Sequence, residues 1–227
     1  MRTTKRFYHF RCLLLILIGG CAPSYIPNTV NSPLFTNKKE FQAAIHQGIS
    51  GFDPQFAYAV TDKLGVMLNS SFANRSKDSL GNFHKHAFVE GGAGYYRRFA
   101  DVGRFEVYSG LGLGRVRGDY SNSLWASRTN VSNFRFFIQP AVGRQTKFTD
   151  LSLATRFAVV DLYQGENKSV GVFIEPVVTA RFGYRNLKAV VQAGFSLPAN
   201  SNKVMFAYMP FMFSLGLQMN LKRIYLE

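Results

Sequence analysis

No disulfide framework is expected. The chain of 227 residues has two cysteines, Cys12 and Cys21, too few for the cross-linked framework of a small secreted domain. Nor do they build a Cys-His cluster for a zinc site. Tryptophan occurs once, as Trp125, within the polar stretch GDYSNSLWASRTN, where it could anchor a partner or insert at an interface. Acidic residues are also scarce, 13 against 27 Lys and Arg, for a formal net charge of +14. The cations are spread through turns, loops and strands, without a Lys/Arg block or a nucleic-acid motif, so no nucleic-acid partner is expected. A dispersed positive charge on an exported chain suits outer-membrane lipid and lipopolysaccharide phosphates instead. Finally, no apolar run approaches the roughly 20 residues of a membrane-spanning helix. Any membrane crossing must be made by strands.

The first 20 residues read as a secretory signal. Arg2, Lys5, Arg6 and Arg11 form a basic start, Cys12 to Ile18 an apolar run, and Ile18-Gly19-Gly20-Cys21 a small-residue cleavage site. Without the four cations of that segment the remaining charge is near +10. Ile-Gly-Gly-Cys resembles the lipobox of bacterial lipoproteins. The resemblance implies cleavage before Cys21, a diacylglyceryl group on its thiol and acylation of its amine. Residues 21–39, rich in Pro, Asn, Ser and Thr and without periodicity, read as a lipid-anchored tether carrying no site. Residues 40–227 read as one domain.

That domain is all-β. Twenty glycines and 22 phenylalanines fit no ordinary helical protein, and apolar residues recur at every second position in segment after segment. The hairpin Val170 to Ser196 shows it most cleanly: Val170, Val172, Ile174, Val178, Ala180 and Phe182 alternate with Glu175, Thr179 and Arg181. The periodicity predicts ten antiparallel strands, near 40–49, 51–60, 63–74, 83–99, 103–118, 131–147, 150–163, 169–184, 186–197 and 207–221, with eight as the alternative count. Short links alternate with longer polar loops. This pattern resembles that of up-and-down transmembrane β-barrels of the Gram-negative outer membrane. With the short turns in the periplasm, both chain termini are expected there too, beside the leaflet that would hold an acylated Cys21.

The face opposite the apolar one is mainly Gly, Ala, Gln and Ser, unlike the charge-dense surface of a soluble barrel. Its few charges, Glu90, Glu106, Arg135, Arg156, Glu175, Arg181 and Lys188, are expected to form an ion-pair network inside the lumen. Aromatic residues near the strand ends suggest two interfacial girdles. Pro140 and Pro176 fall inside strands and predict a bulge or a shared irregularity at one height.

Ser214-Leu215-Gly216-Leu217-Gln218-Met219-Asn220-Leu221 resembles the assembly signal of outer-membrane barrels, carried here by Ser214, Gly216, Met219 and Leu221. The resemblance implies recognition by the barrel-assembly machinery. It departs from the pattern in having Leu221 where an aromatic is commoner, and in the tail of residues 222–227.

Chemistry is harder to find. The glycines of Gly110-Leu111-Gly112-Leu113-Gly114 and Glu90-Gly91-Gly92-Ala93-Gly94 alternate within strands and do not open a helix, so they are not phosphate loops. His84 and His86 share a strand face but have no third ligand nearby, and a solvated pair at the outer rim is the expectation. Asp119, Asp161 and Ser121 show no nucleophile-to-base spacing. No cofactor, no metal and no catalytic residue is expected. The chain reads as a lipid-anchored barrel with a non-enzymatic role in envelope structure or surface interaction. A narrow pore for small solutes and a lipid-modifying enzyme are the competing readings.

Overall fold

The computed structural model describes residues 23–99, 101–120, 128–200, 204 and 206–224. Its strands are β1 (Phe41–Gly48), β2 (Phe52–Ala59), β3 (Leu64–Arg75), β4 (Phe83–Phe99), β5 (Gly103–Asp119), β6 (Arg128–Gln145), β7 (Thr149–Gln164), β8 (Asn167–Tyr184), β9 (Leu187–Phe195), β10 (Leu197–Pro198) and β11 (Phe211–Leu221). Each long strand pairs antiparallel with its sequence neighbour. β1 closes the sheet on β11 in a register running from Phe41 opposite Leu221 to Gly48 opposite Ser214. The result is a closed barrel of ten strands, with β10 a short continuation of β9 along β8. Closure matters because it leaves no unpaired edge.

Alternation decides which way each side chain points. Along β5, Phe105, Leu111 and Leu113 face outward and Glu106, Tyr108 and Val116 inward; Leu111 and Leu113 are 52% and 60% exposed while Tyr108 is 0% exposed. Every long strand divides its residues in this way, so the outer surface is a continuous apolar belt. Phe99, Phe148, Phe182 and Tyr184 ring one end, and Phe52, Phe72, Tyr163, Phe195 and Phe211 lie toward the other. Such an exterior is the reverse of a water-soluble protein's.

Three outward-facing prolines interrupt the ladder, each on one side only. Pro140 pairs with Val107 on β5, but the β6–β7 ladder skips from Ile138 to Ala141. Pro176 pairs with Thr155 on β7, while the ladder to β9 and β10 skips from Val177 to Ile174. Pro54 leaves the same kind of gap between β2 and β3. Proline has no N–H to give, so each ladder loses a rung where one sits. Pro140 and Pro176 flank Thr155 at one height, and no residue is inserted to form a bulge.

The segment expected to be a tether does not hang free. Ser24 N and Tyr25 N donate to Ala207 O, and Met209 N donates to Tyr25 O, at the rim that carries the long loops. From there the chain runs down the lumen, with Tyr25, Asn28, Val30, Asn31, Ser32, Leu34 and Phe35 all buried to 1% or less. It reaches the short-turn rim at Lys38 and Lys39, whose amides bond Asp62 and Ala59. Its Pro, Asn, Ser and Thr content signals a lack of regular structure, yet its described residues run inside the domain and not outside it as a tether, because the barrel supplies the missing backbone partners. The described N-terminal end therefore lies at the long-loop rim and Leu221 at the short-turn rim. The two described ends lie at opposite rims, where one rim was expected for both termini.

Candidate functional site: the filled lumen

At mid-height the inward positions of four strands converge. Glu90 on β4, Arg135 on β6, Arg156 on β7 and Glu175 on β8 are all buried to 2% or less. Arg135 pairs with Glu90, Arg156 Nε donates to Glu175 at 2.6 Å, and Arg156 Nη1 lies 3.7 Å from Glu90. Two cations facing two anions leave the group neutral, which is what a low-dielectric interior requires. The N-terminal segment completes it. Asn28 accepts on Oδ1 from both arginines, donates to Glu90 at 3.1 Å, and offers its carbonyl to Arg156 Nη2 at 3.0 Å. Tyr25 donates its hydroxyl proton to Glu175 at 2.8 Å and accepts from Arg135.

Lower down, the remaining predicted charges act separately. Glu106 accepts the Leu34 amide at 2.8 Å and belongs to no ion pair among the described residues. Arg181 donates to Ser32 O at 2.7 Å and to Gln218 at 2.8 Å. Lys188 pairs with Asp150 at 2.6 Å. The seven residues thus form one network of four, while Glu106, Arg181 and Lys188 are each held by other partners. Leu34 carries φ 52, a left-handed conformation rare for leucine. Its amide is held by Glu106, its carbonyl by Gln145 at 3.1 Å, and its side chain lies where a Cβ on Gly143 would be. Gly65 likewise makes room for Phe35. These lumen glycines are spaces reserved for the inserted segment.

The short-turn end is closed by a residue from the tail. Lys222, at φ 59, turns the chain back beneath the barrel. Arg223 then pairs with Glu40, reaches Asp150 at 3.3 Å and donates to Pro33 O at 2.8 Å. One guanidinium ties the last strand's end to the first strand's start and to the plug.

Near the long-loop rim the two histidines are buried inside the lumen, not solvated. His84 Nε2 lies 3.0 Å from His86 Nδ1, and His86 Nε2 lies 2.9 Å from Ser71 Oγ. Beyond Ser71 stands the Asp53 carboxylate, which accepts the Thr29 amide at 2.8 Å and the Ser50 hydroxyl. His86 and Ser71 share one hydrogen bond, in which the imidazole nitrogen is donor or acceptor according to its tautomer. Asp53, by accepting the Thr29 amide, ties the plug to β2 beside this pair. Among the described residues no three His, Cys, Asp or Glu side chains gather to hold a metal ion.

Of the assembly-signal residues, Ser214 faces inward with its hydroxyl 3.2 Å from His46 Nδ1, and a Cβ on Gly216 would collide with Ile45 O and His46. Met219 and Leu221 face outward, exposed. Cys21, Trp125 and Ser121 lie outside the described residues. Sequence reasoning missed Tyr25, Asn28, Asp53, Asp150 and Arg223, and it did not foresee the role of the inward-facing Gln192. Gln192 grips Val30 by both backbone groups, at 2.7 and 2.9 Å. One signal was available: residues 22–37 carry no charge, the composition of a strand of chain meant for a crowded polar interior.

No protein-family model matches this chain, and no curated relative does. Among solved structures it is similar to the N-terminal β-barrel domain of Pseudomonas aeruginosa OprF, at 14% identity and a TM-score of 0.36, over 82% of this chain and 100% of that one. The fold stands on the chain's own strand pairing.

Proposed function

We propose that this protein is a sealed outer-membrane β-barrel with a non-enzymatic role in envelope structure or surface interaction, its lumen occupied by its own N-terminal segment. The observation that carries the reading is the pairing of an apolar exterior with a lumen threaded by residues 24–36 and held by buried charges. Lipid is the solvent that suits such an exterior. A dozen extended residues span at most about 40 Å, enough to traverse a hydrocarbon core of about 30 Å. The signal-like segment and the strand pattern support the Gram-negative outer membrane as the setting, and the resemblance of residues 214–221 to an assembly signal supports the barrel-assembly machinery as a partner.

The lipid anchor at Cys21 belongs to the same reading, with its side revised. Pro23 is two residues from Cys21, a reach of about 7 Å, and Ser24 lies at the long-loop rim. With the short turns periplasmic, acyl chains on Cys21 enter the outer leaflet. Labelling with palmitate tests the anchor: it is expected in the wild type and lost in Cys21→Ser.

The closed state is tested in planar bilayers. The intact chain is expected to show no steady single-channel conductance. A persistent conductance from the intact chain would replace this reading with the pore. The enzyme reading has one remaining foothold, the His84–His86–Ser71 chain, and unchanged lipid A mass spectra on expressing His86→Ala removes it.

A further inference from the structure

The outward face changes character sharply on β4 and β5. Below Ala87 and Leu113 it is apolar; above them stand Lys85, Arg115 and Arg117, all exposed. Strand register sets Lys85 directly opposite Arg117, while Arg115 lies opposite Ala87. Opposed residues on neighbouring strands have Cβ atoms about 5 Å apart, and diagonal neighbours lie within about 8 Å. Three cations therefore crowd one small area. Like charges placed directly opposite destabilise a sheet, so the arrangement calls for an anion.

Among the described residues the protein does not provide one. Arg115 Nη2 has only the Asn130 side chain, at 3.3 Å. The nearest acid on this face, Asp119, is engaged with Arg128 at 2.8 Å. Among the described residues no carboxylate contacts Lys85, Arg115 or Arg117. A shallow recess lined by Phe83, Arg117, Asp119, Arg128 and Asn130 adjoins the three cations. Its height, immediately past the last apolar residues at the long-loop rim, is the height of lipid headgroups.

We infer that Lys85, Arg115 and Arg117 form a binding site for a phosphate-bearing lipid headgroup in the leaflet at the long-loop rim. The inference rests on the membrane reading above. Two guanidinium groups and an ammonium suit a phosphate's geometry and charge, the arginines by paired N–H donors and the lysine as a point charge. The apolar belt beneath takes up the acyl chains, which commits the site to a lipid and not to free phosphate.

The test uses the full chain in neutral detergent micelles doped with phosphatidic acid, a phosphomonoester lipid, with retained lipid measured by mass spectrometry. The triple variant Lys85→Gln/Arg115→Gln/Arg117→Gln is expected to retain about tenfold less phosphatidic acid, since each cation near a lipid surface contributes modestly and the three act together. Arg97→Gln, an exposed cation at the other rim, should leave retention unchanged. Equal retention by the triple variant overturns the site, as does inorganic phosphate that displaces the lipid at equal concentration. Heat-modifiable gel mobility and liposome insertion are recorded for every variant. A wild type lacking both defeats the membrane reading, whereas an inserted triple variant with wild-type lipid retention defeats the site alone.

Discussion

The outer and inner faces of the same ten strands follow different rules. Outside, Leu111, Leu113, Phe136, Ile138, Val159 and Leu215 are all exposed, and one apolar residue serves as well as another where the surroundings are uniform. Inside, Arg156 has three named partners, Asn28, Glu175 and Glu90, and no other residue could make those contacts. The outer face specifies where the barrel sits. The inner face specifies which segment fills it, and it does so with groups that are costly unless every partner is present.

The comparison is broken most severely from within. Arg156→Met removes the cation between two buried carboxylates and leaves Glu175 and Glu90 undercompensated. A loss of about 3–5 kcal/mol is expected from breaking a buried pair, read as a lower denaturant midpoint of the refolded barrel. Adding Glu175→Gln to Arg156→Met should recover part of it, because the two positions act as one unit. A double variant that is worse by the sum of the two single losses would show that they do not.

From the outside, Leu111→Arg puts a charge in the middle of the apolar belt. For a mid-bilayer position this costs about 2–4 kcal/mol in lipid. The same variant in an aqueous setting would cost almost nothing, so its midpoint in liposomes separates a membrane belt from a merely greasy surface. Asn28→Ala comes next, at about 1–3 kcal/mol, because it strips hydrogen bonds from Arg135, Arg156 and Glu90 without removing a charge. A loss too small to detect in the midpoint would mean the plug is held by its ends alone.

The difference between the faces also explains what the sequence made legible. Strand positions such as 83–99 and the inward placement of Glu90, Arg135, Arg156 and Glu175 follow from a period of two, a local property of the chain. The partner of each charge does not. Tyr25 meets Glu175 across 150 positions and Arg223 meets Glu40 across 183, and no local pattern encodes such contacts. The segment 22–39 has no period, so its burial could only be argued from a need: a ten-stranded lumen lined by small residues has space to fill. Lys188 was seen, but its partner Asp150 stood in what read as a turn. The histidines lie at the long-loop rim but inside the lumen and not in solvent, because their partner Ser71 comes from another strand.

The mildest change sharpens the contrast most, because its chemistry can be held constant. Leucine to isoleucine moves one methyl group and keeps the volume. At Leu113, outward and 60% exposed, the exchange should shift stability by no more than about 0.5 kcal/mol. At Leu34, buried to 1% with φ 52, the branched Cβ clashes in the left-handed region and the Gly143 pocket no longer fits its occupant. Strain of that kind is worth about 1–3 kcal/mol. Denaturant midpoints of Leu34→Ile and Leu113→Ile, measured in the same detergent, should therefore differ clearly. Equal midpoints would mean that the inserted segment contributes nothing to the stability of the barrel around it, and the distinction between a specified interior and an interchangeable exterior would fall with them.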